Sequence, residues 1–399
     1  MKRVFFENAN IVDVINRQII YGGIYVEDGI ICSLGADAKC PDGTERIDMG
    51  GKTVLPGLFN VHAHITSPDS GMDDPRYLPS SMTSQPGIML LAIKHCEENI
   101  QSGVTFIRDV GGLFEVDIEA MHAVNKGAIV GPDMLVSGRA IVITGGHGWT
   151  IPGMTYEVNC ADEARRAARL NIRAGATALK VCGTGGVASP GDQPGSAQLT
   201  VEEMHAVCEE GHKAGLIVAS HAQGTQGIKN SILAGVDSIE HGFYLDDECI
   251  ELMLEHNVWY VPTLVTVRMI LERGPGKIPE FMIEKCKYAH EAHLKSFEKA
   301  RAAGVKIASG TDASAPCCPH YESTMEAVDM VMAGMSPWEA LYAITMESAK
   351  LCRVDKLLGS IEKGKKAHFS VFEKNPAEDI KEISKNVMTI KNGEIVWKK

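Results

Sequence analysis

The chain has 399 residues, 45% of them apolar, and 39 Lys plus Arg against 51 Asp plus Glu give a formal charge of −12. That length admits one large domain with an accessory unit, or two domains. The acidic balance and the lack of long basic runs exclude nucleic acid and anionic membrane as expected partners, and no apolar run is long enough to span a bilayer.

The N-terminal stretches RVFFENANIVDV, GGIYVEDGIICSLG and GTERIDMGGKTVLPG read as short strands separated by turn residues. The opening segment has only a broken apolar run and no clear cleavage site, so it is not read as a signal peptide. The eleven cysteines are scattered and odd in number, so free thiols in a reducing cytoplasm are expected, including the adjacent Cys317 and Cys318.

From residue 53 onward the pattern alternates. Strand-like runs occur in TVLPGLFNVHAH, GVTFIRDV, DMLVSGRA, ATALKVCG, GLIVASHA, VDSIEHG, VWYVPTLV and GVKIASGTD. Amphipathic segments such as CADEARRAARLNIRAG and TVEEMHAVCEEGHKAG lie between them and end in Gly, as helix stops do. Eight such repeats predict an α/β fold, a parallel (β/α)8 TIM barrel. A doubly wound sheet alternates likewise, but no Gly-x-Gly-x-x-Gly opens an early helix. The C-terminal AHFSVFEKNP and VMTIKNGEIVWKK are again strands, the second pair around a tight Asn-Gly turn. The expected division is a small composite β-sandwich from residues 1–56 and 360–399, around a barrel from residues 57–359.

In a barrel the chemistry gathers at the C-terminal ends of the strands. His62 and His64 end the first run, His221 the fifth, His241 the sixth and Asp312 the eighth. Two histidines two apart on a strand sit roughly 7 Å apart on one side and can lean onto one cation, and His nitrogen ligates zinc at about 2.0–2.1 Å. A lone His is usually a hydrogen-bonded core residue. Five ligand-type residues at equivalent strand ends make a metal site the better reading. His290 and His293 lack the His-Glu-x-x-His spacing of zinc peptidases and are read as part of an ordinary, partly exposed helix. His95, His122, His205, His212 and His256 are read as surface or packing residues of helices.

Lys180 sits inside an apolar strand, in AGATALKVCGTGG. Desolvation and nearby cations push an ammonium toward the neutral amine. A neutral amine takes up carbon dioxide to give a carbamate, an anion able to bridge two metals. Two dications would then face the carbamate, Asp312 and a bridging hydroxide. The alternative is a Lys180 ammonium paired with Asp109 or Glu240.

These motifs together resemble the amidohydrolase superfamily. VLPGLFNVHAHI, LKVCGTGG, SHAQG, SIEHG and GTD follow in the family's order, and ESAKLCRVDKLLGSIEKGKKAHFSVFEKNPAEDI is similar to its return into the small sandwich. His368 stands where members commonly have Asp. The resemblance implies a binuclear centre of divalent ions, expected to be Zn²⁺. His62, His64 and Asp312 would hold one ion, His221 and His241 the other, with carboxylated Lys180 between them. TFIRDVGG, GRAIVITGGHGW and ALKVCGTGGVAS are similar to the branch of metal-dependent dipeptidases and carboxypeptidases, prolidase-like and related to imidazolonepropionase.

The resulting expectation is hydrolysis of the amide of a dipeptide or N-acyl amino acid by a metal-bridging hydroxide, with Asp312 as general base and then acid. His147 is expected to reach the rim as oxyanion donor or carboxylate holder, and Tyr244 and Arg108 are candidates for carboxylate binding. An internal salt bridge of Arg108 with Asp109 is an equal alternative for that residue. The loop GTGGVASPGDQPGSAQLT reads as a lid or a passive loop. The competing reading is a cyclic amide or imidazolone hydrolase with one metal. Nucleobase deamination and a metal-free scaffold rank below both. A homo-oligomer acting on a small molecule is expected.

Overall fold

The computed structural model describes residues 2–68 and 84–399. Both ends of the chain build one sheet. Arg3–Asp13, Gln18–Glu27, Ile30–Gly35, Glu45–Asp48 and Thr53–Pro56 come from the N-terminal side, and Phe369–Phe372, Asn386–Lys391 and Glu394–Lys398 from the C-terminal side. By hydrogen bonding these form a single eight-stranded sheet.

Two of its hairpins follow directly from sequence. Asp28-Gly29 joins Glu27 to Ile30, and Asn392-Gly393 joins Lys391 to Glu394. All four turn residues have positive φ, between 47° and 80°, the conformation that two-residue hairpins need and that Asn, Asp and Gly tolerate. At the centre, Thr53–Pro56 runs parallel to Arg3–Asp13 on one side and antiparallel to Phe369–Phe372 on the other. The buried rings of Phe6 and Phe369 meet edge to face at 5.9 Å, so the two ends share one core.

The middle of the chain forms two parallel sheets. One contains Leu58–Ala63, Val104–Asp109 and Asp133–Val136; the other runs Thr155–Val158, Ala140–Ile143, Ala178–Cys182, Ile217–Ala222, Ser238–His241, Trp259–Val261. Most of these strands are buried along their whole length, as parallel strands covered on both faces are. Helices such as Ala161–Ala174, Val201–Lys213 and Thr225–Ala234 alternate with them. Thr200 and Glu203 form a reciprocal capping box at the start of Val201–Lys213, and Gly175 and Gly235 end their helices in the left-handed conformation. No helix among the described residues is long and apolar enough to cross a membrane.

The eighth expected strand, GVKIASGTD, is not a regular strand. Ile307 bridges Tyr260 and Ala313 bridges Ala63 singly. A Cβ on Gly310 would lie 2.6 Å from the His62 Cβ, and Asp312 and Ser314 have φ of 53° and 75°, so the segment turns instead of extending. It still ties the two parallel sheets together: Val61 N donates to Ser309 O at 2.9 Å and Ala308 N to Tyr260 O at 3.0 Å. On the opposite flank Thr177 N donates to Val136 O at 2.8 Å. The parallel pair Ala140–Ile143 and Thr155–Val158 lies outside the expected repeat, bracketing the loop that carries His147.

Candidate metal centre

His62, His64, Lys180, His221, His241 and Asp312 line one cavity, and His147 lines it with them. His62 Nε2 and His64 Nε2 lie 3.3 and 3.1 Å from the same Asp312 oxygen. Potential ligand atoms of His62, His241 and Asp312 all fall within 4.8 Å of one another. The ring of His241 is 4.8 Å from that of His62 and 4.6 Å from that of His221, centroid to centroid.

Three histidines have one ring nitrogen engaged away from this convergence. His62 Nδ1 donates to Glu240 Oε2 at 2.7 Å, His241 Nδ1 meets Thr263 Oγ1 at 2.8 Å, and His221 Nε2 donates to the Gly185 carbonyl at 3.2 Å. A second partner of this kind fixes the tautomer and leaves the other nitrogen's lone pair free. His241, Thr263 and Asp312 have φ of 72°, 53° and 53°. Left-handed backbone is costly for such residues, and its clustering at ligand-type side chains marks a functional site.

The electrostatics favour neutral nitrogen donors. Burial pushes the Lys180 ammonium's pKa down, and the pull of Glu240 and Asp312 does not restore it. Burial also holds His221 and His241 well below the usual histidine range. Burial alone would raise the Asp312 carboxyl, but the adjoining His62 and His64 rings hold it well below the carboxylate range. Neutral imidazoles, a disfavoured ammonium and an ionised carboxylate converging on one point are a donor set that suits a divalent cation.

The turn that presents Asp312 is braced by a buried polar network. Asn60 Oδ1 accepts from Thr311 N at 3.0 Å, while Asn60 Nδ2 donates to Thr311 Oγ1 at 2.7 Å and Ser323 Oγ at 3.1 Å. Asn99 bonds both Ser323 and His320, and His320 Nε2 meets Ser314 Oγ at 2.9 Å. His95, read from sequence as a surface or packing residue, is a packing one: it is fully buried and stacks on His320 at 4.2 Å.

Other expectations are corrected. Arg108 is fully buried and does not line the cavity; its guanidinium bonds Val61 O, Ser238 Oγ and Glu240 Oε1. Its expected partner Asp109 accepts instead from Ile65 N and Gly111 N. Tyr244 is half-buried, packs against the cluster of Val187, Phe243, Val267 and Ile270 that walls the cavity, and does not itself line the cavity. His293, expected on a partly exposed helix, is buried 4.5 Å from the Phe243 ring. The loop after Cys182 is pinned: Lys285 Nζ donates to Gly186 O at 3.0 Å and Ser189 O at 2.8 Å, and Gly148 N donates to Ser189 Oγ.

Sequence reading missed Glu240, Thr263 and Asp192 as partners of the site histidines. Alternation places Glu240 and His241 on opposite faces of their strand. The positive φ of His241 breaks that rule, so both adjacent side chains reach the same interior.

The chain belongs to the amidohydrolase family, which it matches over residues 53–396, and family and relatives together make it a hydrolase acting on amide C–N bonds. It is 33% identical over 389 residues to an ochratoxinase from Aspergillus niger, covering 90% of this chain and 78% of the relative. It is 26% identical over 392 residues to an imidazolonepropionase from Paracoccus denitrificans, covering 90% and 89%. A crystal structure of a Xaa-Pro dipeptidase with bound methionine in its active site superposes with a TM-score of 0.90 at 32% identity, covering both chains completely.

Proposed function

We propose that this protein is a binuclear metal-dependent hydrolase that cleaves the amide of dipeptides or N-acyl amino acids. The proposed frame is a closed (β/α)8 barrel of residues 57–359 beside a unit of residues 1–56 and 360–399. The observation that carries the reading is the convergence of His62, His64, Lys180, His221, His241 and Asp312 on one cavity. His62, His64 and Asp312 would hold one cation and His221 and His241 the other, with carboxylated Lys180 between them. When bound, divalent cations such as Zn²⁺ supply Lewis acidity toward the scissile carbonyl and acidify a water.

The side chains do the rest. Asp312 takes a proton from the attacking water and returns it to the departing nitrogen as the C–N bond breaks. His147 donates a hydrogen bond to the carbonyl oxygen or to a substrate carboxylate, with its Nδ1 3.6 Å from Asp192 Oδ2 on the pinned loop. Val187, Phe243, Val267, Ile270 and Met282 form an apolar wall of the same cavity, which suits an apolar side chain next to the amide. The likeness to an ochratoxinase and a Xaa-Pro dipeptidase supports amide hydrolysis of this kind.

A second reading is hydrolysis of a cyclic amide or imidazolone with one metal. It is supported by the tight grouping of only His62, His241 and Asp312 among the described residues, and by the imidazolonepropionase relative. Metal analysis alongside a screen of dipeptides and N-acyl amino acids on zinc-loaded protein separates the two. Two metals per chain with release of a C-terminal amino acid is the expected result. One metal and turnover confined to cyclic amides would replace the first reading with the second.

A further inference from the structure

The geometry points to Glu240 and Arg108 as positioning residues that aim His62 Nε2 at the metal centre from the strand behind it. This rests on the metal centre proposed above, not on the identity of the substrate. Both side chains are fully buried and do not line the cavity, so a substrate-binding role is closed to them.

Each polar atom of the pair has an assigned partner. Arg108 Nη2 donates to Glu240 Oε1 at 2.8 Å, Nη1 to Ser238 Oγ at 2.9 Å and Nε to the Val61 carbonyl at 2.6 Å. Ser238 Oγ also donates to Glu240 Oε1. That leaves Glu240 Oε2 for His62 Nδ1, at 2.7 Å. With its Nδ1 proton committed, His62 presents the Nε2 lone pair, and Nε2 is the nitrogen 3.3 Å from Asp312 Oδ1. A carboxylate behind a ligating histidine fixes ring orientation and raises the basicity of the donor nitrogen.

Arg108 acts on the same residue a second way. Val61, whose carbonyl it holds, immediately precedes His62, so backbone and ring of His62 are anchored by one guanidinium–carboxylate unit. Glu240 also immediately precedes His241, a residue of the opposite ligand group. The unit therefore links Leu58–Ala63, Val104–Asp109 and Ser238–His241 through their side chains and sets the spacing of His62 relative to His241. An ion pair serving stability alone would have no need to end on a ring nitrogen of a ligand-type histidine.

The test is zinc affinity of the metal-free chain, measured by competition with a chromogenic chelator, with circular dichroism and the metal-free Tm as folding controls. Glu240→Gln keeps the shape and removes the charge, and should weaken zinc at one site about 10- to 100-fold. Glu240→Asp keeps the charge for Arg108 but withdraws it from His62, and should weaken the same site. It also serves if the Gln variant fails to fold. Wild-type zinc affinity in either folded variant would overturn the assignment, as would a wild-type chain that takes up no zinc. A wild-type chain that binds zinc but turns over no dipeptide or N-acyl amino acid would instead remove the substrate reading, while the affinity comparison still decides this one.

Discussion

The imidazoles of His147 and His221 lie nearly parallel, 15° apart, with centroids separated by 4.1 Å. Gly186 makes that stack possible, since a Cβ there would sit 2.3 Å from His147 Cε1 and 2.9 Å from His221 Nε2. His147 is thus held against a candidate metal ligand by packing on one side and by the pinned loop on the other.

If His147 donates to the carbonyl oxygen in the transition state, His147→Ala should lower kcat by about 100-fold with zinc content unchanged. Steady-state kinetics on a peptide and its amide-capped analogue is the measurement. A loss confined to KM on the uncapped peptide would assign His147 to the substrate carboxylate instead.

Asp312→Asn should cost about 10²- to 10⁴-fold in kcat, the range for removing a positioned general acid–base. Metal content is measured on the same preparation, because Asp312 is also a candidate ligand. Near-wild-type turnover in the metal-loaded variant would exclude the proton-transfer role.

Lys180 should appear as a carbamate once metal is bound. Protein reconstituted with zinc and ¹³C-bicarbonate is expected to show one enriched carbonyl resonance that Lys180→Met lacks. Reconstitution in carbon-dioxide-depleted buffer should recover less activity. An unlabelled, fully active zinc enzyme would rule the carbamate out.

Burial pushes His293 down to about 3. The folded state therefore refuses a proton that the unfolded chain accepts below about pH 6.5. Its contribution to stability is complete above that pH and is lost as pH falls toward 3, at up to about 1.4 kcal/mol per unit. Urea midpoints of metal-free His293→Leu at pH 7 and pH 5 should differ less than those of the wild type. Equal pH dependence in both proteins would mean that the unfolded chain does not gain this proton.

Ile270 is buried in the apolar wall of the cavity. Ile270→Val removes one methylene at a stability cost of about 0.5–1.5 kcal/mol. The ratio of kcat/KM between substrates one methylene apart should shift about 10-fold toward the larger. An unchanged ratio across a homologous series would place the substrate side chain elsewhere.

Much of the site was legible because ligand-type residues sit just after apolar runs. Apolar runs become strands, and strand ends share one rim. That reasoning grouped His62, His64, His221, His241 and Asp312, which line one cavity, without knowing any angle. It misplaced Arg108 and Tyr244 because proximity to a strand end does not say which way a side chain turns. Glu240 was hidden by the left-handed residue that follows it, and GVKIASGTD read as a regular strand because the turn at Gly310–Asp312 leaves no mark in the apolar pattern. His293 was misjudged for a different reason: its helix, Glu280–Ala303, is covered by Phe243 from a distant segment, and no local periodicity reports that contact.

The central strand of the terminal sheet, Thr53–Pro56, has a long delay built into it. Its first neighbour, Arg3–Asp13, is made shortly before it, but its second, Phe369–Phe372, follows only after all the strands of the two parallel sheets have been synthesised. Until then one edge of a β-rich, apolar unit stays unpaired and open to another nascent chain. Loss of Phe369–Phe372 should therefore show as poor yield and co-aggregation during synthesis before it shows as altered catalysis.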